Sequence, residues 1–361
     1  MLARGKVNIG IIGAGFIGQI AHLANYAAIS DCRVMALAEL RPNLRRQVAK
    51  RFNIRRTYES HRELLDDDRI DAVVVVTARP HLGPIALDCL RAGKHVFTEK
   101  PMSGDVEHAQ LLTEAAREMN VQYVVGYMKR YDEGVQRAKK ILDELMANEE
   151  LGRITFVRSH CFMGESYCNA DEYITTDELL PSDLPRWPEA PASLSDEFQA
   201  SYAWFLNVYS HNTNLLRYFL GGTPQVRHTH MPSQLGGVVV FDYGGIPITL
   251  EVGRLNFRGW DEVIEIYFEH GRLQVKTPPA LLRNVPAQVT LYRGDVHALS
   301  APQCEWRWSF RRQAEAFVRA VRDGVESLTS GEDSLNDIRL AESIWQLEEQ
   351  QHLDPIRRGV A

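Results

Sequence analysis

The chain has 361 residues, of which 45% are apolar and 24% are charged, and its formal net charge is −6. This length exceeds what one compact core usually holds, so we expect a soluble globular protein of two domains. The negative charge argues against a nucleic-acid partner. No apolar run approaches the roughly 20 residues that cross a bilayer, so we expect no membrane span.

Two further features concern the cellular compartment. The sequence begins MLARGK and leads directly into a predicted strand, which gives no sign of a secretory signal. Its five cysteines include no C-x-x-C pair, which predicts reduced thiols and no structural zinc. We therefore expect a cytoplasmic protein without a metal centre.

The first predicted element is a strand that ends in a glycine motif. Val7 to Ile12 is a short apolar run, followed by Gly-Ala-Gly-Phe-Ile-Gly at positions 13–18 and then by helical spacing. A strand that enters a helix in this way binds a pyrophosphate. Gly13 permits the turn, Gly15 lets the backbone approach the phosphates, and Gly18 lets helix and strand pack closely. Alone, the motif is also compatible with an ordinary glycine-rich turn.

An acidic residue follows the second predicted strand. Val34 to Ala38 ends at Glu39, which lies 21 residues beyond Gly18. A carboxylate there accepts hydrogen bonds from both ribose hydroxyls of NAD and repels the 2′-phosphate of NADP. Arg41 is the residue type that binds that phosphate, so NADP stays open, but the position of Glu39 at the strand end favours NAD.

Strands and helices then alternate along the chain. Val73 to Val76 is apolar on both faces, as in a strand buried in a parallel sheet, and Thr77 to His81 follows as a loop where such sheets bind ligands. The other predicted elements are helices 44–52, 85–90 and 107–119 and strands 95–98 and 121–125. This alternation predicts a doubly wound parallel sheet, a Rossmann fold, over residues 1–128.

The pattern changes after Tyr131. A predicted helix over 135–146 is followed by alternating strands with tight turns, at Gly244-Gly245 and at 269–271, which is typical of antiparallel hairpins. The predicted strands are 154–160, 238–243, 247–252, 263–268, 272–276 and 289–293. We therefore expect an α+β domain over 129–361 with a large, mainly antiparallel open sheet. Helices that begin after Ser309 and Ser334 are expected to close it.

Two stretches of the second domain carry candidate functional residues. Residues 161–200 are acidic and aromatic and lack periodicity, which is compatible with a loop over a sugar pocket or with a variable surface insertion. Residues 204–222 are predicted as one helix, on which Asn207, His211 and Asn214 share a face.

Five stretches together resemble the glucose–fructose oxidoreductase / inositol dehydrogenase / MocA family of NAD(P)-dependent oxidoreductases. They are GAGFIG at 13–18, Ala38-Glu39, Thr77 to His81, AGKHVFTEKPM at 92–102 and the turn 126–131. The most specific is AGKHVFTEKP. The resemblance covers most of the chain but is weak over 161–200 and 277–305. It implies a homodimer or homotetramer in which the second domain's sheet is buried against another subunit.

The resemblance also implies catalytic residues. Lys100 matches the lysine that contacts the cofactor and the reacting hydroxyl group, and its bond to Pro101 is often cis in the family. Partly shielded from water, such a lysine can exchange the proton of an alcohol. His211 matches the catalytic histidine. Asn207 stands where an aspartate is usual, and because an amide adds no charge, we expect His211 to be a weaker base here.

The remaining site residues follow from the same alignment of motifs. The predicted cofactor-binding residues are Gly13, Gly15, Phe16, Ile17, Gly18, Glu39, Arg41, Thr77, Ala78, Arg79, His81, Glu99 and Lys100. The predicted substrate-binding residues are Lys100, Tyr131, Asn207 and His211. Arg79 stands where the family usually has a small amide, and it either meets the nicotinamide ribose or points to water.

We therefore expect an NAD(P)-dependent oxidoreductase that moves hydride between nicotinamide and a secondary alcohol or ketone carbon of a sugar, amino sugar or cyclitol. Two alternatives stay open. The same cofactor can support an elimination or glycosidase reaction with transient oxidation of the sugar. The chain can also be a nucleotide-sensing binding protein with a degraded site, because Asn207 and Tyr209 replace the usual aspartate and glycine.

Overall fold

The structure is a computed structural model that describes residues 5–165 and 167–353. Within these residues, the chain forms two compact units. The first comprises Met1–Tyr127, Ala170–Glu189 and Phe310–Ile338, and the second comprises Met128–Asn169, Ala190–Ser309 and Arg339–Ala361. The first break thus falls beside the predicted boundary at 128–129, but two later segments that the sequence assigned to the second domain pack with the first unit.

The first unit is built on alternating strands and helices. Its elements are β1 (Val7–Ile12), a π-helical turn (Gly18–Leu23) that continues into α1 (Ala24–Tyr26), β2 (Cys32–Ala38), α2 (Pro42–Arg51), β3 (Arg56–Tyr58), α3 (His61–Leu65), β4 (Ala72–Val75), α4 (Arg79–Arg91), β5 (His95–Thr98), α5 (Val106–Glu118) and β6 (Tyr123–Val125). The strands form one six-stranded parallel sheet in the order β3-β2-β1-β4-β5-β6. This is the doubly wound order of dinucleotide-binding folds, and the predicted Rossmann sheet is confirmed.

The second unit is built on a larger sheet. Its elements are a 3-10 turn (Met128–Tyr131), α6 (Glu133–Asn148), β7 (Ile154–Met163), α7 (Asp196–Val208), α8 (Ser210–Leu220), β8 (Gln225–Ser233), β9 (Gly236–Tyr243), β10 (Ile246–Arg254), β11 (Trp260–Phe268), β12 (Gly271–Lys276), β13 (Gln288–Arg293) and β14 (Ala298–Ser300). The eight strands lie in the order β14-β13-β12-β11-β7-β10-β9-β8, and every neighbouring pair except β7–β10 is antiparallel. The predicted mainly antiparallel open sheet is confirmed.

The hairpin between β9 and β10 shows how glycine determines local register. Tyr243 lies opposite Ile246, which leaves Gly244 and Gly245 as a two-residue loop. Both have positive φ, +61° and +88°. A two-residue hairpin turn of this hand needs positive φ at both central positions, which glycine adopts without a steric penalty.

Two helices complete the chain, α9 (Ser309–Asp323) and α10 (Gly331–Leu353). The sequence predicted that both close the second domain. In the structure, α9 from Phe310 onward belongs to the first unit, where Ala314, Phe317 and Val318 pack in the core with strand residues of β1 and β4. An amphipathic pattern shows which face of a helix is apolar, but it does not specify the partner that covers this face.

Several local predictions need correction. The predicted loop over 77–81 is shorter, because α4 begins at Arg79 with Pro80 in its first turn, a position that suits the fixed φ of proline. The predicted single helix over 204–222 is two helices that meet at Tyr209, whose φ and ψ are −91° and −3°. The sequence analysis did not predict β3, β8, β14 or α3.

No helix in the described part of the chain combines the length and the apolar character that a membrane crossing requires.

Candidate functional site

The glycine turn after β1 has the geometry that its sequence predicts. Gly13 has a φ of +94°, and a Cβ there would lie 2.3 Å from the backbone oxygen of Val76. A Cβ on Gly18 would lie 2.9 Å from the backbone oxygen of Gly13. Gly15 differs, because a Cβ there would meet no described atom within 4 Å. Two of the glycines are thus required by packing, whereas the third faces open space.

The open space beside Gly15 is part of a cavity of about 570 Å³ in the first unit, a volume in the range of small-molecule sites. Ten predicted cofactor-binding residues line it: Gly13, Gly15, Phe16, Ile17, Gly18, Glu39, Arg41, Thr77, Ala78 and His81. Twelve residues that the sequence analysis did not select also line it: Ile12, Ala38, Leu40, Glu59, Ser60, His61, Arg62, Val76, Ile85, Leu180, Leu184 and Pro185. We call this space the cofactor cavity.

Glu39 stands at the end of β2 with its carboxylate buried and fully hydrogen-bonded. Its Oε1 accepts the backbone N–H of Arg41 at 3.1 Å and Nε of Arg41 at 2.8 Å. Its Oε2 accepts the backbone N–H of Ala14 at 2.9 Å and Nη2 of Arg41 at 3.0 Å. The hydrogen bond to Glu39 is the main reason that the pKa of Arg41 is raised. The acid therefore fixes both the glycine turn and the neighbouring arginine.

The first unit also offers a hydrogen-bonding group that its own residues leave unused. Oγ1 of Thr77 is buried and has no hydrogen-bond partner among the described residues. Buried hydroxyl groups normally have a partner, so an orphaned one in the wall of a cavity points to a ligand. Together with the space in front of Gly15, this observation shows that the residues present fit a dinucleotide.

A distant segment forms another wall of the cofactor cavity. We call residues 170–189 the strap, and its Leu180, Leu184 and Pro185 line the cavity. The sequence analysis placed this stretch in a loop over a sugar pocket or in a surface insertion. In the structure, this stretch packs on the first unit.

The strap is held along its whole length. Near its start, the side chain of Gln19 hydrogen-bonds both the N–H and the backbone oxygen of Ile174, each at 2.9 Å. Near its end, the backbone N–H of Trp187 donates to the backbone oxygen of Pro80 at 2.8 Å. Arg79, which the sequence analysis placed beside the cofactor, forms an ion pair with Glu189 at 3.2 Å and is not among the residues that line the cavity.

The Glu99-Lys100-Pro101 stretch follows β5. Lys100 is half-buried, and the peptide bond to Pro101 is cis. The Glu99 carboxylate is held from two sides: Oε1 contacts Nε2 of His22 at 2.7 Å, and Oε2 accepts the backbone N–H of Lys100 at 3.2 Å. Glu99 and Lys100 do not line the cofactor cavity. The sequence analysis missed His22, whose only signal is a polar residue on the buried face of the first helix.

The other predicted catalytic and substrate-binding residues lie in the second unit. Tyr131 is buried in the 3-10 turn. Asn207 is near the end of α7, His211 is near the start of α8, and both are partly buried. Asn207 and His211 therefore lie on two successive helices and not on the single predicted helix.

A buried ionic network in the second unit was also missed by the sequence analysis. Lys129 forms a buried ion pair with Glu262, and Oε1 of Glu262 also accepts a hydrogen bond from Nδ2 of Asn212 at 2.9 Å. Burial raises the pKa of the neighbouring Cys161 thiol, so it stays protonated. No group of three or more metal-ligating side chains is found among the described residues.

A parallel sheet in the 3-2-1-4-5-6 order, with this glycine turn and an acid at the end of the second strand, defines a dinucleotide-binding protein. Residues 7–127 match the model of the GFO/IDH/MocA family, described as an oxidoreductase family with an NAD-binding Rossmann fold. The match confirms, over these residues, the resemblance to this oxidoreductase family that was found in the sequence.

Comparisons with individual proteins extend the similarity to most of the chain. The chain is 24% identical over 341 residues to a myo-inositol 2-dehydrogenase of Thermotoga maritima, over 91% of this chain and 92% of that protein. Its fold is similar to that of a levoglucosan dehydrogenase in complex with NADH and levoglucosan, with a TM-score of 0.73, 21% identity and coverage of 96% and 98%.

A 3-ketoreductase from Actinomadura kijaniata, solved with TDP-benzene and NADP, is also similar, with a TM-score of 0.72, 20% identity and coverage of 94% and 97%. At these identities the two structures show a shared fold. One of them holds NADH and the other NADP, so the fold is compatible with either dinucleotide.

Proposed function

We propose that this chain is an NAD-dependent dehydrogenase or reductase that acts on a secondary alcohol or ketone carbon of a sugar or cyclitol. The observation that carries the proposal is the cofactor cavity, which joins the glycine turn to Glu39 at the end of β2. The names of the relatives, a myo-inositol 2-dehydrogenase and a levoglucosan dehydrogenase, support a polyhydroxylated ring as the substrate.

The preference for NAD rests on the charges beside the ribose position. Glu39 is a buried carboxylate with four protein donors on its two oxygens. A carboxylate accepts about four hydrogen bonds, so a ribose hydroxyl group would replace one of the Arg41 donors. A 2′-phosphate in the same place would meet a negative charge that has no proton to offer. NAD therefore suits this site better than NADP.

The bound nicotinamide would supply the hydride chemistry, and the residues of this chain would manage the proton. We propose that Lys100 and His211 hold and exchange the proton of the reacting hydroxyl group, and that Tyr131 and Asn207 orient the ring. The neighbouring Glu99 carboxylate is fixed by its contact with Nε2 of His22 and by the hydrogen bond that it accepts from the backbone N–H of Lys100. Because the Asn207 amide can orient its neighbours but adds no charge, we propose that Lys100 carries the larger share of the proton transfer.

Turnover with a panel of inositols and sugars tests the proposal. The purified protein is mixed with NAD or NADH and each compound, and the absorbance of the reduced cofactor is followed. We expect Lys100→Ala to lower kcat by roughly 10²- to 10⁴-fold while the affinity for NAD stays within about threefold. Lys140→Ala, which removes an exposed lysine of α6, is the matched control and should leave kcat unchanged.

Other outcomes of this experiment would point to the alternatives. A product that forms without a net change in absorbance would indicate transient oxidation followed by elimination or glycosidic cleavage. Tight dinucleotide binding without turnover of any polyol would indicate a binding protein. Activity that survives in Lys100→Ala would remove this lysine from the mechanism.

We also propose that the chain works in the cytoplasm as a homodimer or homotetramer that assembles through its eight-stranded sheet. The proposal is supported by the family resemblance and by the open sheet, one face of which requires a cover. Light scattering during size-exclusion chromatography measures the mass, and a mass of one chain would contradict it.

A further inference from the structure

The carboxylate of Glu178, a residue of the strap, binds the first turn of α2. Pro42 has no N–H, and the next two backbone N–H groups, of Asn43 and Leu44, both donate to Glu178 at 3.0 to 3.1 Å. Oγ1 of Thr176 donates to the same carboxylate at 3.0 Å. The N-terminus of a helix attracts anions. In this protein, a side chain more than 130 positions along the chain occupies that place.

The ionisation of Glu178 agrees with this arrangement. Its partial burial opposes the charged form, but the N–H groups of Asn43 and Leu44 outweigh burial, and the pKa of Glu178 is lowered. The group is therefore an anion at neutral pH. Its negative charge is also felt by Arg41, whose pKa is raised mainly by Glu39 and to a smaller extent by Glu178.

This location is where a 2′-phosphate would need its partners. The ribose of a dinucleotide lies at the end of the second strand, and a nearby arginine accommodates the 2′-phosphate in NADP-dependent relatives of the fold. In this chain, α2 begins three residues after Glu39, and Arg41 lies between them. Glu39 holds the guanidinium of Arg41, and Glu178 holds the free N–H groups of the helix. The two kinds of group that could bind a 2′-phosphate here, the guanidinium and the free N–H groups, are therefore both already bound to carboxylates.

Glu178 is also tied to the cofactor cavity itself. Leu180, two residues further along the strap, lines the cavity, and so do Leu184 and Pro185. The strap therefore closes one side of the cavity with apolar side chains and places its charge at the helix that follows Glu39.

We propose that Glu178 is a specificity-determining residue: by occupying the N-terminus of α2 beside Arg41, it makes the cofactor site reject dinucleotides that carry a 2′-phosphate. This inference rests on the proposed NAD-dependent function. It assigns the selection against NADP to two carboxylates from distant parts of the sequence, Glu39 and Glu178.

Direct binding of the two dinucleotides tests the inference without the need for a substrate. NAD and NADP, which differ only in the 2′-phosphate, are titrated into the full chain, and the two Kd values are measured by calorimetry. In Glu178→Gln, which keeps a hydrogen-bond acceptor but removes the charge, we expect the affinity for NADP to rise roughly tenfold while that for NAD stays within about threefold. Asp177→Asn removes the same charge from an exposed neighbour and should change neither value.

The outcomes separate this inference from the proposed function. If the unchanged chain binds neither dinucleotide, the proposed function fails. If it binds NAD, and Glu178→Gln changes the ratio of the two Kd values no more than Asp177→Asn does, only the role of Glu178 is overturned. Glu178→Ala is the second variant in case the amide disturbs the strap, and a thermal melt shows that each variant is folded. A tenfold shift in this second variant supports the inference equally.

Discussion

The cofactor cavity has two walls that differ in how the sequence specifies them. One wall is the glycine turn with Glu39, whose residues lie within 27 positions of each other and are fixed by local geometry. The other wall is the strap, which reaches the same cavity from more than 130 positions away and is fixed by a set of separate anchors. A cofactor site can therefore combine a recognisable sequence motif, here the glycine turn, with a segment such as the strap that has no motif.

The two walls are also expected to respond differently to substitution. The glycine turn is part of the parallel sheet's core, so a change there affects folding as well as binding. The strap lies over the unit and contributes few buried apolar side chains. Local opening of such a segment costs less free energy than global unfolding, so changes in the strap should affect binding more than stability.

The largest effect is expected within the glycine turn. Gly13→Ala introduces a Cβ at positive φ and 2.3 Å from the backbone oxygen of Val76, so we expect a loss of about 3 kcal/mol in the free energy of unfolding. Gly15→Ala is the matched control, because its Cβ would meet open space. We expect this variant to keep its stability within about 0.5 kcal/mol and to lose NAD affinity by roughly tenfold or more.

Urea denaturation and calorimetric titration measure these two quantities. If Gly15→Ala bound NAD as tightly as the unchanged chain, the space in front of Gly15 would not be the pyrophosphate site. If Gly13→Ala were as stable as the unchanged chain, the backbone at this turn would not need glycine.

The next effect concerns the anchor of the strap. The Trp187 ring packs on α4 so closely that a Cβ on Gly83 would lie 2.1 Å from it, and its centroid is 4.4 Å from that of His108. We expect Trp187→Ala to release the end of the strap and weaken NAD binding roughly tenfold, while the midpoint of global unfolding changes by only a few degrees. Gly83→Ala acts on the same contact from the other side and should have the same effect.

Limited trypsin digestion gives a second measurement of this release, because Arg186 is the only trypsin site within residues 170–189. Cleavage there should become faster in Trp187→Ala. Trp306→Ala removes a ring that is 77% exposed in the second unit and should change neither digestion nor NAD affinity. Unchanged NAD affinity in both Trp187→Ala and Gly83→Ala would mean that the strap is no part of the cofactor site.

The contrast between the walls explains how much the sequence could predict. The glycine motif, Glu39 and the four consecutive buried residues of β4 have direct signatures, because local spacing determines turns, strand ends and burial on both faces. The Rossmann sheet and the antiparallel sheet followed from such signatures, and ten of the residues that line the cofactor cavity followed from these signatures together with the family resemblance.

The missed features depend on contacts between distant residues. His22 lies on the first helix and Glu99 follows β5, and no local pattern pairs the two. The apolar face of α9 is visible in sequence, but the unit that covers it is not. The break at Tyr209 lies in a stretch with uninterrupted helical spacing and no proline or glycine, so no local signal in the sequence marks the end of α7.

The smallest effect concerns the part of the cavity wall between these extremes, where residues 59–62 line the space after β3. Asp67 supports this part, because its Oδ2 accepts the Tyr58 hydroxyl group at 2.9 Å and both of its oxygens accept Arg69. Hydrogen bonds from Arg69 outweigh the opposing effect of burial and hold the pKa of Asp67 well below its usual range. A carboxyl group whose pKa is lower in the folded state stabilises the protein above its unfolded pKa, about 3.9, and this contribution is lost as the pH falls below that value.

We therefore expect Asp67→Asn to lower the free energy of unfolding by about 1 to 2 kcal/mol at pH 7, and the difference from the unchanged chain to shrink steadily as the pH falls from about 5 towards 2. Urea denaturation at several pH values measures this difference. Asp68→Asn removes an exposed neighbouring charge and should show little change at any pH. A difference for Asp67→Asn that stays constant with pH would mean that its ionised carboxylate does not support β3. The partners of the Asp67 carboxylate, Arg56, Tyr58 and Arg69, all lie close to it in the sequence. We therefore expect NAD affinity to change less than in the strap variants, and this part of the cavity wall, like the glycine turn, is specified by local sequence.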